Sequence, residues 1–112
     1  MSYIDAFVSP VPTANKQAYI DGSKMFRDIA MEFGATRLVE FWGDDVPDGK
    51  VTSFPMAVKL EPGETVVVSY LEWPDKATRD AGNAKMMTDE RMKPENMPFD
   101  GKRMIYGGFQ PL

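Results

Sequence analysis

The sequence predicts an α+β domain of the ferredoxin-like kind, a four-stranded antiparallel sheet with two main helices in the order βαββαβ. Three observations carry this. The runs 3–11, 36–44, 65–73 and 103–109 alternate in polarity or concentrate β-formers between Pro, Gly and Asp punctuation. The runs 14–33 and 75–88 repeat apolar or small residues at three- and four-residue spacing. Their interleaving is that of the split βαβ motif, which places both helices on one face of the sheet.

In the first strand Ile4, Ala6 and Val8 alternate with Tyr3, Asp5 and Phe7, and Pro10 and Pro12 close the run. The first helix carries Ala18, Gly22, Met25, Ile29 and Phe33 on one stripe, with Thr13 or Asn15 expected as its cap and Gly34 at its left-handed end. The second strand ends in the acidic turn Asp44-Asp45-Val46-Pro47-Asp48-Gly49. Ser53 followed by Pro55 predicts one or two helical turns over 53–59, and Pro62-Gly63 then leads into the third strand, Thr65 to Trp73. That run is the richest in β-formers and is expected at the centre of the sheet. Asp75 caps the second main helix, whose small residues Ala81, Gly82 and Ala84 predict close packing. Asp100-Gly101 turns the chain into the last strand, Arg103 to Phe109.

If Val39 and Phe41 face the helices, then Leu38, Glu40 and Trp42 face away, joined by Tyr3 and Phe7. A sheet face of that kind predicts a homodimer in which two sheets pack face to face as an α+β barrel.

Composition narrows the functions. The 112 residues form one domain, and 43% hydrophobic content is enough for a core. Seventeen acidic against thirteen basic residues, a net charge of -4, oppose a grip on phosphate backbones, so nucleic acid is not expected as a partner. Without cysteine there is no disulfide frame; the start Met1-Ser2-Tyr3-Ile4-Asp5 lacks signal-peptide regions and no apolar run reaches membrane-spanning length. A cytoplasmic protein with no membrane partner is expected. The absence of histidine removes the commonest general base, the usual triads and the commonest zinc ligand.

The ending Met97-Pro98-Phe99-Asp100-Gly101-Lys102-Arg103-Met104-Ile105-Tyr106-Gly107-Gly108-Phe109 is distinctive, as is the run Gly49 to Leu60 after Asp44-Asp45. With Tyr3 to Val8 and Asn83 to Met87, these stretches resemble the uncharacterised bacterial YbaA-like family, the domain of unknown function 1428. The resemblance covers nearly the whole chain. It implies the dimeric α/β barrel superfamily, whose members include cofactor-free monooxygenases, small isomerases, haem-handling enzymes and noncatalytic binding modules, so it implies a fold and no single chemistry.

Candidate site residues come from residue type and phase. Asp44, in phase with Glu40 and Trp42, is the candidate general base at a pocket's edge; its other reading is a solvated Asp-Gly turn. Asp44, Asp45 and Asp48 cluster oxygen ligands suited to a hard cation, but not at EF-hand spacing, and no metal or other cofactor is expected. Lys59 and Arg103 are candidate anion stabilisers and Tyr106 a hydrogen-bond donor, against an ion-paired and core reading. Arg103 and Tyr106 have opposite parity, so a regular strand presents only one of them to a cleft. Trp42 is the candidate stacking wall for an aromatic ligand, with Trp73, Phe7 and Tyr70 as further aromatics. Met86, Met87, Met92 and Met97 either line an adaptable pocket or fill gaps under the second helix. Gly107-Gly108 predicts a close backbone approach or a bulge, not a nucleotide cradle. The central strand lacks an RNA-recognition signature, and Ser9-Pro10-Val11-Pro12 offers no phosphate-gripping loop.

The expected activity is therefore small-molecule binding in a cleft between sheet and helices, with cofactor-independent acid/base or oxidative chemistry, or a noncatalytic homodimeric binding module.

Overall fold

The fold is seen in a computed structural model that describes residues 2–93 and 97–112. The chain runs β1 (Tyr3–Pro12), α1 (Lys16–Glu32), β2 (Arg37–Trp42), α2 (Phe54–Ala57), β3 (Glu64–Trp73), α3 (Lys76–Met87) and β4 (Ile105–Phe109), with a single 3₁₀ turn, Thr13–Asn15, ahead of α1. All sheet pairings are antiparallel and the strand order is β2-β3-β1-β4, compatible with a ferredoxin-like fold.

Directly paired residues share a sheet face. Asp5 lies opposite Leu71, which lies opposite Leu38; Phe7 lies opposite Ser69 and Tyr106, and Ser69 opposite Glu40. This face meets the helices: Phe7, Leu38, Leu71 and Trp73 pack with Ile29 and Ala30 of α1 and Met86 of α3. The phase expected for β2 is thereby corrected. Leu38 and Glu40 face the helices, with Tyr3 and Phe7 beside them, while Val39 and Phe41 occupy the open face, where Phe41 is 54% exposed. Both sides of β2 are apolar enough to be core, so alternation within it specifies two faces without saying which is covered.

The helix starts differ in how they are satisfied. Asp75 Oδ1 accepts from the Thr78 amide at 2.7 Å and Ser53 Oγ from the Met56 amide at 3.1 Å, as expected of caps. Neither Thr13 nor Asn15 caps α1. Their side chains make tertiary bonds instead, Thr13 to the Thr65 hydroxyl at 2.7 Å and Asn15 Nδ2 to the Pro98 carbonyl at 3.2 Å.

Close packing of α3 rests on Gly82. A Cβ there would fall 2.5 Å from the fully buried Trp73 indole and 2.9 Å from the Phe33 carbonyl, whereas Ala81 and Ala84 are exposed. Gly108 plays the same part in β4, where a Cβ would press on Tyr3 and come 2.8 Å from Arg79 Nη2. β4 begins at Ile105, so Arg103 precedes the strand and parity does not govern it.

Candidate functional site

A cleft of about 560 Å³ opens between the helix-covered sheet face and α1, α3 and the segment 97–99. Ser9 and Ser69 stand on its floor, where larger side chains would have filled the space, and Gly22 leaves room on the α1 side. Most of the lining is apolar, including Phe7, Phe26, Leu38, Leu71 and Phe99. Met86, Met87, Met92 and Met97 all border it, so the methionines serve as wall; Met86 is also part of the core.

Among the described residues two carboxylates enter this apolar space, each from a strand and each met by an i,i+4 pair from a helix, the spacing that aligns two side chains on one helical face. Asp5 of β1 meets Arg79 and Asn83 of α3. Its Oδ1 accepts from Arg79 Nε at 2.9 Å and lies 2.7 Å from Nη2, while Oδ2 accepts from Trp73 Nε1 at 3.0 Å and Asn83 Nδ2 at 3.4 Å. Asp5 is 5% exposed, and a carboxylate so buried requires these partners. The Asp5 carboxylate raises the Arg79 guanidinium further above its ordinary range. The Tyr3 ring stacks 5.3 Å from that guanidinium.

Glu40 of β2 meets Tyr19 and Ser23 of α1. The Tyr19 hydroxyl donates to Oε1 at 2.6 Å and the Ser23 hydroxyl to Oε2. Burial, then the negative charge of Glu40, drives the Tyr19 phenol far above its usual range and keeps it a donor. Its ring tilts against Phe99 with centroids 5.7 Å apart. Among the described residues no buried side-chain polar atom lacks a hydrogen-bond partner.

The residues singled out from sequence are dispersed. Tyr106 lines the cleft at its edge, 75% exposed. Trp42 lies outside it with the Lys16 ammonium 5.1 Å from its ring. Asp44 is exposed in the loop after β2. Lys59 and Arg103 do come together beside a small depression of about 180 Å³, but the contact is Arg103 Nη1 donating to the Lys59 carbonyl at 3.0 Å. Arg103 is held by Glu64, through a fork at 2.8 and 2.6 Å, and by Asp100 at 3.0 Å. That guanidinium holds the Glu64 carboxyl below its ordinary range. Asp44, Asp45 and Asp48 do not converge: among the described residues no group of three or more carboxylates is placed to hold a metal ion.

Asp5, Arg79, Asn83, Tyr19, Ser23 and Ser69 were not singled out. A signal existed for Asp5, a charge in phase with Tyr3 and Phe7, and for the polar pairs Tyr19/Ser23 and Arg79/Asn83 at i,i+4 spacing. Recognising it required the covered face of the sheet to be known.

The family model described as "Protein of unknown function (DUF1428)" matches residues 2–101. A protein of Escherichia coli strain K12 described as "Uncharacterized protein YbaA" is 56% identical over 114 aligned residues, covering 100% of this chain and 97% of the relative. Relatives of the same description from Escherichia coli O157:H7 and Shigella flexneri have the same identity and coverage.

Proposed function

We infer that this chain, which belongs to the DUF1428 family of proteins of unknown function, holds a small organic molecule in the cleft between sheet and helices and works as a homodimer in the cytoplasm. The observation that carries the reading is the cleft, an apolar space of about 560 Å³ into which Asp5 and Glu40 are held by dedicated helix pairs. Its size suits a drug-sized ligand, and its mix of apolar wall and a few oriented polar groups is the usual make-up of such sites. Dimerisation is supported by the open sheet face, where Phe41, Ile105 and Phe109 are 54%, 44% and 55% exposed. Val39, Val68 and Tyr70 share that face, and two such faces packed together would cover one another.

Binding without turnover is favoured over acid/base or oxidative chemistry by one observation. Asp5 has its oxygen sites taken by Arg79, Trp73 and Asn83 and cannot take a substrate proton without breaking one of those bonds, so of the two carboxylates only Glu40, whose oxygens accept one hydroxyl each, keeps sites open and the two do not form an acid/base pair. Asp44, Lys59 and Arg103, outside the cleft, do not enter this reading.

Native mass spectrometry of protein purified from its host tests both parts. Twice the chain mass plus a retained small molecule is expected, and Asp44→Asn is expected to retain it equally. A monomer at micromolar concentration by light scattering would overturn the dimer. Loss of the retained molecule on Asp44→Asn, with the fold intact, would return the site to the loop after β2.

A further inference from the structure

We propose that the cleft selects a small apolar molecule bearing a protonated amine, with Glu40 as its counter-ion. This rests on the reading of the cleft as a ligand site and adds the chemical class of the ligand. Asp5 and Glu40 differ in how their charge is met. Asp5 is neutralised by Arg79 at 2.7 Å. Among the described residues Glu40 is met by hydroxyls alone, those of Tyr19 and Ser23, and none of the ion pairs includes it.

A half-buried carboxylate facing an apolar space without a cation is costly, and a ligand cation beside it recovers that cost. The geometry leaves room for one. A carboxylate offers about four lone-pair sites, and the two hydroxyls occupy one on each oxygen, so an ammonium N–H has acceptors available. Tyr19 and Ser23 also fix the carboxylate's orientation before any ligand arrives, which lowers the ordering cost of binding. Phe7 and Phe26, edge to face with centroids 6.2 Å apart, border the same cleft and suit an apolar body.

An anionic ligand would meet a less favourable site. Of the cations lining the cleft, Arg79 is held by Asp5 and Asp80, and Arg91 by Glu32 and Asp89. Lys93 is exposed. The Arg91 contact with Glu32 is about 13.5 Å along α1 from Ser23, at 1.5 Å of rise per residue, which sets the Arg91 charge apart from Glu40.

The test is calorimetric titration of the wild-type chain with three probes sharing one body, 4-phenylbutylamine, 4-phenylbutanol and 4-phenylbutyrate. The amine is expected to bind at least about tenfold more tightly than the alcohol, with the carboxylate weakest. Amide shift changes on adding the amine are expected at Ser23, Glu40 and Ser69. Glu40→Gln, checked for folding by circular dichroism, is expected to level amine and alcohol, and Ser23→Ala to weaken the amine alone. Equal or tighter binding of the alcohol or the carboxylate by wild type overturns the amine assignment and leaves the cleft reading standing. Shift changes confined to residues outside the cleft overturn it too. Binding of none of the three counts against the cleft as a ligand site. The wild-type comparison decides even if the variants fail to fold.

Discussion

Substituting Gly82 by alanine sets two physical effects against each other, and the structure predicts which wins. On helix propensity alone, Gly to Ala inside α3 stabilises by about 1 kcal/mol. The added Cβ, however, would lie 2.5 Å from two carbons of the Trp73 indole and 2.9 Å from the Phe33 carbonyl. Carbon pairs rest at about 3.5–4.0 Å, so either α3 retreats by roughly 1 Å or the indole moves. Neither movement is easy. Trp73 is wholly buried, and its ring N–H is tied to Asp5 at 3.0 Å. Retreat of α3 would draw Arg79 and Asn83 away from the same carboxylate. Overpacking of this kind costs typically about 1–3 kcal/mol, and weakening a buried hydrogen bond costs about 1 kcal/mol more. The net expectation is a destabilisation of about 2 kcal/mol, opposite in sign to the propensity argument. Urea unfolding followed by tryptophan fluorescence, at fixed protein concentration, measures it. A variant as stable as wild type or more so would refute the claim that α3 is seated against Trp73 through Gly82.

Asp5→Ala removes the acceptor for the buried Trp73 N–H and the partner of Arg79, and is expected to cost about 3 kcal/mol; a loss under about 1 kcal/mol by urea unfolding would show that Asp5 is not the anchor of that cluster. Glu64 has its carboxyl held below the ordinary 4.5 by Arg103, so its contribution is present above that value and lost as pH falls through the lower folded value. Wild type should therefore lose more stability than Glu64→Gln between about pH 6 and pH 3, and equal losses would contradict the pairing. Phe41→Glu on the open face should split the proposed dimer without unfolding the chain; it acts on both copies, on the order of 4 kcal/mol and roughly a thousandfold in dissociation constant. Unchanged mass by light scattering at micromolar concentration would remove Phe41 from the interface.

The elements were legible in the sequence because their determinants are local. Period-2 alternation in Tyr3 to Val8, the β-rich run to Trp73, the caps Asp75 and Ser53 and the Asp100-Gly101 turn each act within a few residues, and each has its predicted place. The α1 cap failed because Thr13 and Asn15 had tertiary partners to satisfy, Thr65 and Pro98, that no local rule contains.

The site was less legible, because its members come from every layer of the fold. Strand phase aligns Glu40 with Trp42 and Asp44, yet Trp42 lies outside the cleft and Asp44 in a solvent-facing loop past the strand. Arg103 and Lys59 looked like site residues by their chemistry, but Arg103 has its charge met by Glu64 and Asp100.

From the sequence alone came the order of elements, the family resemblance and the want of histidine and cysteine; together they determined the fold class and narrowed the chemistry. Only the tertiary structure decided which side of β2 the helices cover, and with it that Asp5 and Glu40 face inward while Phe41 faces out. The physical reason is that alternation is symmetric about a strand: it separates two faces, and the helices packed from elsewhere in the chain choose between them.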